Sequence, residues 1–169
     1  MSRIVVGVHN SLAGLCALRR AGAEARRRGV ALHAERAWPP TPSPRAIAIQ
    51  PWREVALQEA TVAVHHAFSE AMGGIPIDLD VHILVTAGPP GPALVEYADG
   101  DDDLLVVGSS QRRWWRRLVG SSVAAYCVRR AQCAVLAVPP PALAKAGSIS
   151  TLTRALRREV QQLVDTAGG

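Results

Sequence analysis

The order of short apolar runs along the chain constrains its fold more than any other feature. "RIVVGV" (3–8), "VALHAERAW" (30–38), "IDLDVHILVT" (77–86), "LLVVG" (104–108) and "CAVLAVP" (133–139) all have strand length and are rich in apolar or β-branched residues. Segments of helical spacing separate them. Residues 12–28 place Leu15, Leu18, Ala21, Gly22 and Ala25 on one side and end in Arg26, Arg27, Arg28 and Gly29, a plausible helix stop. Residues 52–72 run to Gly73-Gly74, a short helix follows the prolines of "GPPGPALVEYA", and residues 120–131 make a fourth. The resulting order is β-α-β-α-β-α-β-α-β. Parallel strands need crossover connections, crossovers are right-handed, and their helices end up on both faces of the sheet. The expected fold class is α/β: a five-stranded parallel sheet with helices on both faces, Rossmann-like.

A length of 169 residues suits one such domain, placed at residues 1–140, with a linker and tail over 141–169. In the tail, Leu152, Ala155, Leu156, Val160, Leu163 and Val164 repeat at helical spacing and Ser150 can cap the start, so an extra C-terminal amphipathic helix is expected. Its stripe must be covered by the parent domain or by a protein partner. The prolines of "PPTPSPRAIAIQP" (39–51) exclude a regular element there and mark a long loop. A formal charge of +5 favours anions without naming one. No run is long and apolar enough for a targeting segment or a membrane span, and Cys16, Cys127 and Cys133 carry no metal-ligand spacing. A cytoplasmic location, with no membrane partner, is the expectation.

Catalytic chemistry finds little to use. No serine stands in GxSxG, and Ser109 and Ser110 have no base nearby in sequence. His65 and His66 are neighbours on a helix and point apart, while His33 and His82 read as ordinary sheet positions. Asp101, Asp102 and Asp103 read as a solvated turn, and the first strand is not followed by GxGxxG. No enzyme activity and no metal are expected. What stands out is "VVGSSQRRWWRRLVGSS" (106–122), which begins and ends like a phosphate-binding loop but carries four arginines and two tryptophans between. Arginine for phosphates and tryptophan for stacking suggest nucleic acid, yet six residues are a small footprint and no reading motif surrounds them, so nucleic acid is disfavoured.

Three stretches resemble the universal stress protein family: "RIVVGVHNS", "AGPPGPALVEYADGDDDLLVVGSS" and "LVGSSVAAYCVRRAQCAVLAVP", together spanning residues 3–139. The resemblance implies the family's five-stranded parallel fold, of the adenine nucleotide alpha hydrolase-like kind. It also implies a homodimer formed through the last strand, which makes Cys133, Val135, Leu136 and Val138 candidate interface residues. A subset of the family binds ATP with the pattern G-x2-G-x9-G-[S/T] after the fourth strand. Gly108 fits the first glycine and Gly120-Ser121 the last pair, but Gln111 stands at the middle glycine and only residues 112–119 follow it. The family's aspartate after the first strand is replaced by His9, followed by Asn10 and Ser11, and Ala37 falls where the main chain would meet the base.

The candidate nucleotide site is therefore His9, Asn10, Ser11, Ala37, Gly108, Ser109, Gln111, Arg112, Arg113, Gly120, Ser121 and Ser122. Gln111 in a left-handed conformation would cost about 1–2 kcal/mol. Each hydrogen bond lost from a charged phosphate removes roughly 1.5–3 kcal/mol, and guanidinium contacts can replace only part of that. The expectation is a dimeric regulatory or stress-response module with absent or weakened ATP binding. Two alternatives stay open: ATP or another anion held by the 108–122 loop, and nucleic acid held at the arginine-tryptophan tip.

Overall fold

Five strands form the sheet of the computed structural model, which describes residues 2–38, 50–109 and 122–141. They are β1 (Ile4–Gly7), β2 (Leu32–Trp38), β3 (Val81–Ala87), β4 (Leu104–Gly108) and β5 (Ala134–Val138), all parallel, in the order β3-β2-β1-β4-β5. Ile4, Val5 and Val6 of the central strand are fully buried, as a strand covered on both faces requires. Ile4 and Val6 face a core built with Leu18 of α1 (Leu12–Arg28) and Val64 and Phe68 of α2 (Gln50–Met72). Val5 faces the other way, with Leu105 and Val107, onto Leu94 of α3 (Pro90–Tyr97) and Cys127 of α4 (Val123–Arg130). The α/β, Rossmann-like fold expected from the alternation is the fold observed.

Local chemistry sets the boundaries. Ser11 caps α1, its Oγ accepting from the Gly14 N–H at 3.2 Å, and Gly29 closes the helix at φ 66°. α2 begins at Gln50, not after the proline run, because Pro51 falls in the first turn, where no intrahelical donor is needed. β3 begins at Val81 and not at Ile77, because β2 offers partners only from Leu32 onward. The residues before it form a turn in which Asp78 pairs with Arg26 at 2.6 Å. Asp103 corrects a second reading. Asp101 and Asp102 are exposed, but Asp103 is only 2% exposed and takes a 2.7 Å ion pair from Arg3 Nη2. It also accepts from the backbone N–H groups of Arg3 and Gly100, at 3.0 and 3.3 Å, so it ties the start of β1 to the start of β4. The loop over 39–49, the arginine-tryptophan tip and the C-terminal tail lie outside the described residues.

Candidate functional site: a cleft at the strand carboxyl ends

β1 and β4 lie side by side, but the chain leaves them towards opposite faces, into α1 and α4. Adjacent strands that part in this way open a crevice beyond their carboxyl ends. A cleft of about 440 Å³ occupies that position, within the size range of small-molecule sites. Gly7, Val8, Val107 and Gly108 form its floor. Ser11, Ala13 and Gly14 border it from α1, and Ser122, Val123 and Ala124 from α4. Glu35, Arg36 and Ala37 of β2 and Pro90 and Leu94 of α3 close the remaining side.

Two glycines make this arrangement possible. A Cβ on Gly108 would lie 2.8 Å from the Ala13 carbonyl carbon and from the Gly14 nitrogen, so only glycine lets α1 start directly against β4. A Cβ on Gly14 would lie 2.0 Å from the His9 carbonyl oxygen, which rules out any larger residue in this backbone. The first turn of α1 is thus held at the mouth of the cleft. The first turn of α4 meets it there, capped by Ser122, whose Oγ accepts from the Ala125 N–H at 3.2 Å. Neither helix carries an acidic residue in its first turn, and neither does α3. Free backbone N–H groups and the positive ends of the helix dipoles therefore converge on one space, an arrangement suited to an anion.

The wall formed by β2 has the opposite character. Glu35 is 1% exposed, and neither carboxylate oxygen has a hydrogen-bond partner among the described residues. Burial pushes its carboxyl above the ordinary glutamate range. The nearby Thr86 hydroxyl opposes that rise without reaching hydrogen-bond geometry, and the charge of Glu96 adds to it. Arg36 points to the other face of the strand and donates from Nη1 to Asn10 Oδ1 at 2.9 Å.

Of the residues marked out by sequence, His9, Ser11, Ala37, Gly108 and Ser122 line the cleft. Asn10 does not; it is drawn towards α2, its Nδ2 lying 3.4 Å from the Ala63 carbonyl oxygen. Ser109 also stays out, its N–H donating to the Val138 carbonyl at 2.8 Å where β4 and β5 end. Gln111, Arg112, Arg113, Gly120 and Ser121 lie outside the described residues. The candidate interface residues sit on or just before β5, an edge strand: Leu136 and Val138 pack on the α1/α2 core, Cys133 and Val135 on the other. Sequence reasoning missed Glu35 and Arg36. The signal was there, since "HAERAW" puts a carboxylate on a strand whose neighbouring runs are apolar.

Away from the cleft, His33 and His82 are more than separate sheet positions. Their rings stack with centroids 4.6 Å apart, and His33 Nδ1 meets the Tyr97 hydroxyl at 2.6 Å. Burial, with the charge of His82 adding to it, lowers the His33 pKa. Among the described residues there is no cluster of three metal-ligating side chains, and no helix is long and apolar enough to cross a membrane.

The sequence profile of the universal stress protein family matches residues 1–139. A solved universal stress protein in complex with cAMP is 30% identical, with a TM-score of 0.54 over 83% of this chain and 98% of its own. The universal stress protein UspA from Lactobacillus plantarum is 20% identical, with a TM-score of 0.62 over 81% of this chain and 97% of its own. A family member from Arabidopsis thaliana with AMP bound is 17% identical, with a TM-score of 0.52 over 88% of this chain and 97% of its own. No curated protein matches the sequence.

Proposed function

This chain belongs to the universal stress protein family, and on that footing we propose that it is a cytoplasmic regulatory module whose cleft binds an adenine nucleotide without transforming it. One observation carries the reading: the capped N-termini of α1 and α4 meet at the cleft with no acidic residue in their first turns. A phosphate placed there meets backbone N–H donors and two favourable dipoles. The apolar side chains of Pro90, Leu94 and Val107 suit a nucleobase deeper in the same space. The 30%-identical relative, whose own ligand is cAMP, supports this choice of ligand class. Gln111 replaces the glycine that helps wrap a triphosphate, so a nucleotide with one phosphate is favoured over ATP.

The test is calorimetric titration of the full chain with AMP, cAMP and ATP, repeated on Ser122→Asp. Aspartate caps a helix as well as serine does, so the fold is retained while a negative charge enters the phosphate end. Two like charges about 5 Å apart repel by roughly 1–3 kcal/mol between watery and partly buried settings, so AMP affinity should drop about fivefold to a hundredfold. Absence of saturable binding to any of the three would overturn the proposal and leave an interaction module with an empty site.

We also infer that two copies pair along β5. Among the described residues this edge strand is bonded only to β4, which leaves a row of backbone groups open to a partner strand.

A further inference from the structure

Resting on the nucleotide reading above, we propose that Glu35 is the specificity-determining residue of the cleft, accepting a hydrogen bond from an exocyclic amino group of the bound nucleobase. Three observations converge on this residue. It lines the cleft on the wall away from the phosphate end, beside Ala37 and Leu94. Its carboxyl group is almost wholly withdrawn from solvent. Both of its oxygens lack a hydrogen-bond partner among the described residues.

A carboxyl group buried without a partner is costly, and folded proteins keep such groups where a ligand supplies the missing contact. The register places Glu35 opposite Leu84 of β3 and its side chain on the α3 face of the sheet, where the Thr86 hydroxyl of β3 lies nearby without reaching hydrogen-bond geometry, so both carboxyl oxygens stay open to a donor. Each oxygen can accept, whether the group is ionised or protonated. Wherever the ligand's buried end carries an N–H, one unsatisfied acceptor meets one donor that must itself be desolvated. A base without that donor leaves the acceptor unmet, and sites built on polar pairing reject such analogues strongly. The cleft is then polar at both ends: amide donors for the phosphate, an acceptor for the base, and apolar side chains between.

The experiment compares AMP with purine riboside 5′-monophosphate, which is the same nucleotide lacking the 6-amino group, on wild type, Glu35→Leu and Glu35→Gln. Wild type should bind AMP at least about tenfold more tightly, the worth of one hydrogen bond to a carboxyl group. Glu35→Leu should bring the two affinities together at the level of the amino-free nucleotide. Glu35→Gln keeps an acceptor oxygen and should retain most of the preference. Equal binding of the two nucleotides by wild type would overturn the assignment even if a variant failed to fold, as would an unchanged ratio in Glu35→Leu. Preference for GMP, lost in Glu35→Leu, would uphold the role of Glu35 and overturn the choice of adenine. Binding of none of these nucleotides would overturn both.

Discussion

Replacing Asp103 by asparagine tests what aligns the strands beneath the cleft. Asp103 accepts from Arg3 Nη2 at 2.7 Å, Arg3 Nε at 3.1 Å, the Arg3 backbone N–H at 3.0 Å and the Gly100 N–H at 3.3 Å. Asparagine keeps one acceptor but turns its amide hydrogens towards a guanidinium or an N–H group. Breaking a buried pair costs about 3–5 kcal/mol. Here Arg3 is 27% exposed and keeps Asp99 at 2.8 Å, so the loss falls at or below that lower bound, about 2–3 kcal/mol. At about 2–4 °C per kcal/mol for a domain of this size, thermal melting at neutral pH should drop by roughly 4–12 °C.

The pH dependence supplies the sharper check. Burial alone would raise the Asp103 carboxyl, but the hydrogen bonds and charge of Arg3 outweigh it and hold the carboxyl below the ordinary aspartate range. A depressed folded value means that the unfolded chain takes up protons first as pH falls. The stabilisation is therefore complete above about pH 3.9 and is lost as pH drops through the folded value. Wild type and Asp103→Asn should differ fully at pH 7 and converge in acid. Melting curves by circular dichroism from pH 7 to 2 would show the gap narrowing once the pH falls below about 3.9. A variant within a degree of wild type at pH 7, or a gap that does not close in acid, would refute the argument.

Two further substitutions test the geometry elsewhere. Gly14→Ala puts a Cβ 2.0 Å from the His9 carbonyl oxygen, so the β1–α1 turn must move; overpacking of this kind costs about 1–3 kcal/mol, and AMP affinity should fall with it. Normal melting together with normal AMP binding would show that the turn yields without consequence. Leu136→Lys introduces a charge on the edge strand and should shift the protein towards monomer in analytical ultracentrifugation; a dimer of unchanged stability would exclude β5 as the interface.

Much of the fold could be read because periodicity reports burial directly. "LLVVG" and "IVVG" have no polar position, so both had to be central strands, and β4 and β1 are neighbours with both faces covered. Boundaries were less legible, because pairing ends where the partner ends: "IDLD" has the alternation of a strand but no β2 residue to bond. Asp103 shows the same limit. Three consecutive aspartates look alike in sequence, and only the arrival of Arg3 from a hundred residues away decides which one is buried.

By itself the sequence determined the order of strands and helices and the family to which the chain belongs, since both follow from local spacing and residue type. Tertiary structure decided which residues face one another across the cleft. Glu35, Gly14 and Leu94 lie on three separate elements, and only the parting of the chain from β1 and β4 brings them to one space. The strand pattern assigns Glu35 to a face, but whether a partner waits on that face depends on side chains arriving from α3 and β3. Its unmatched carboxyl is a property of packing, which no single stretch of the chain contains.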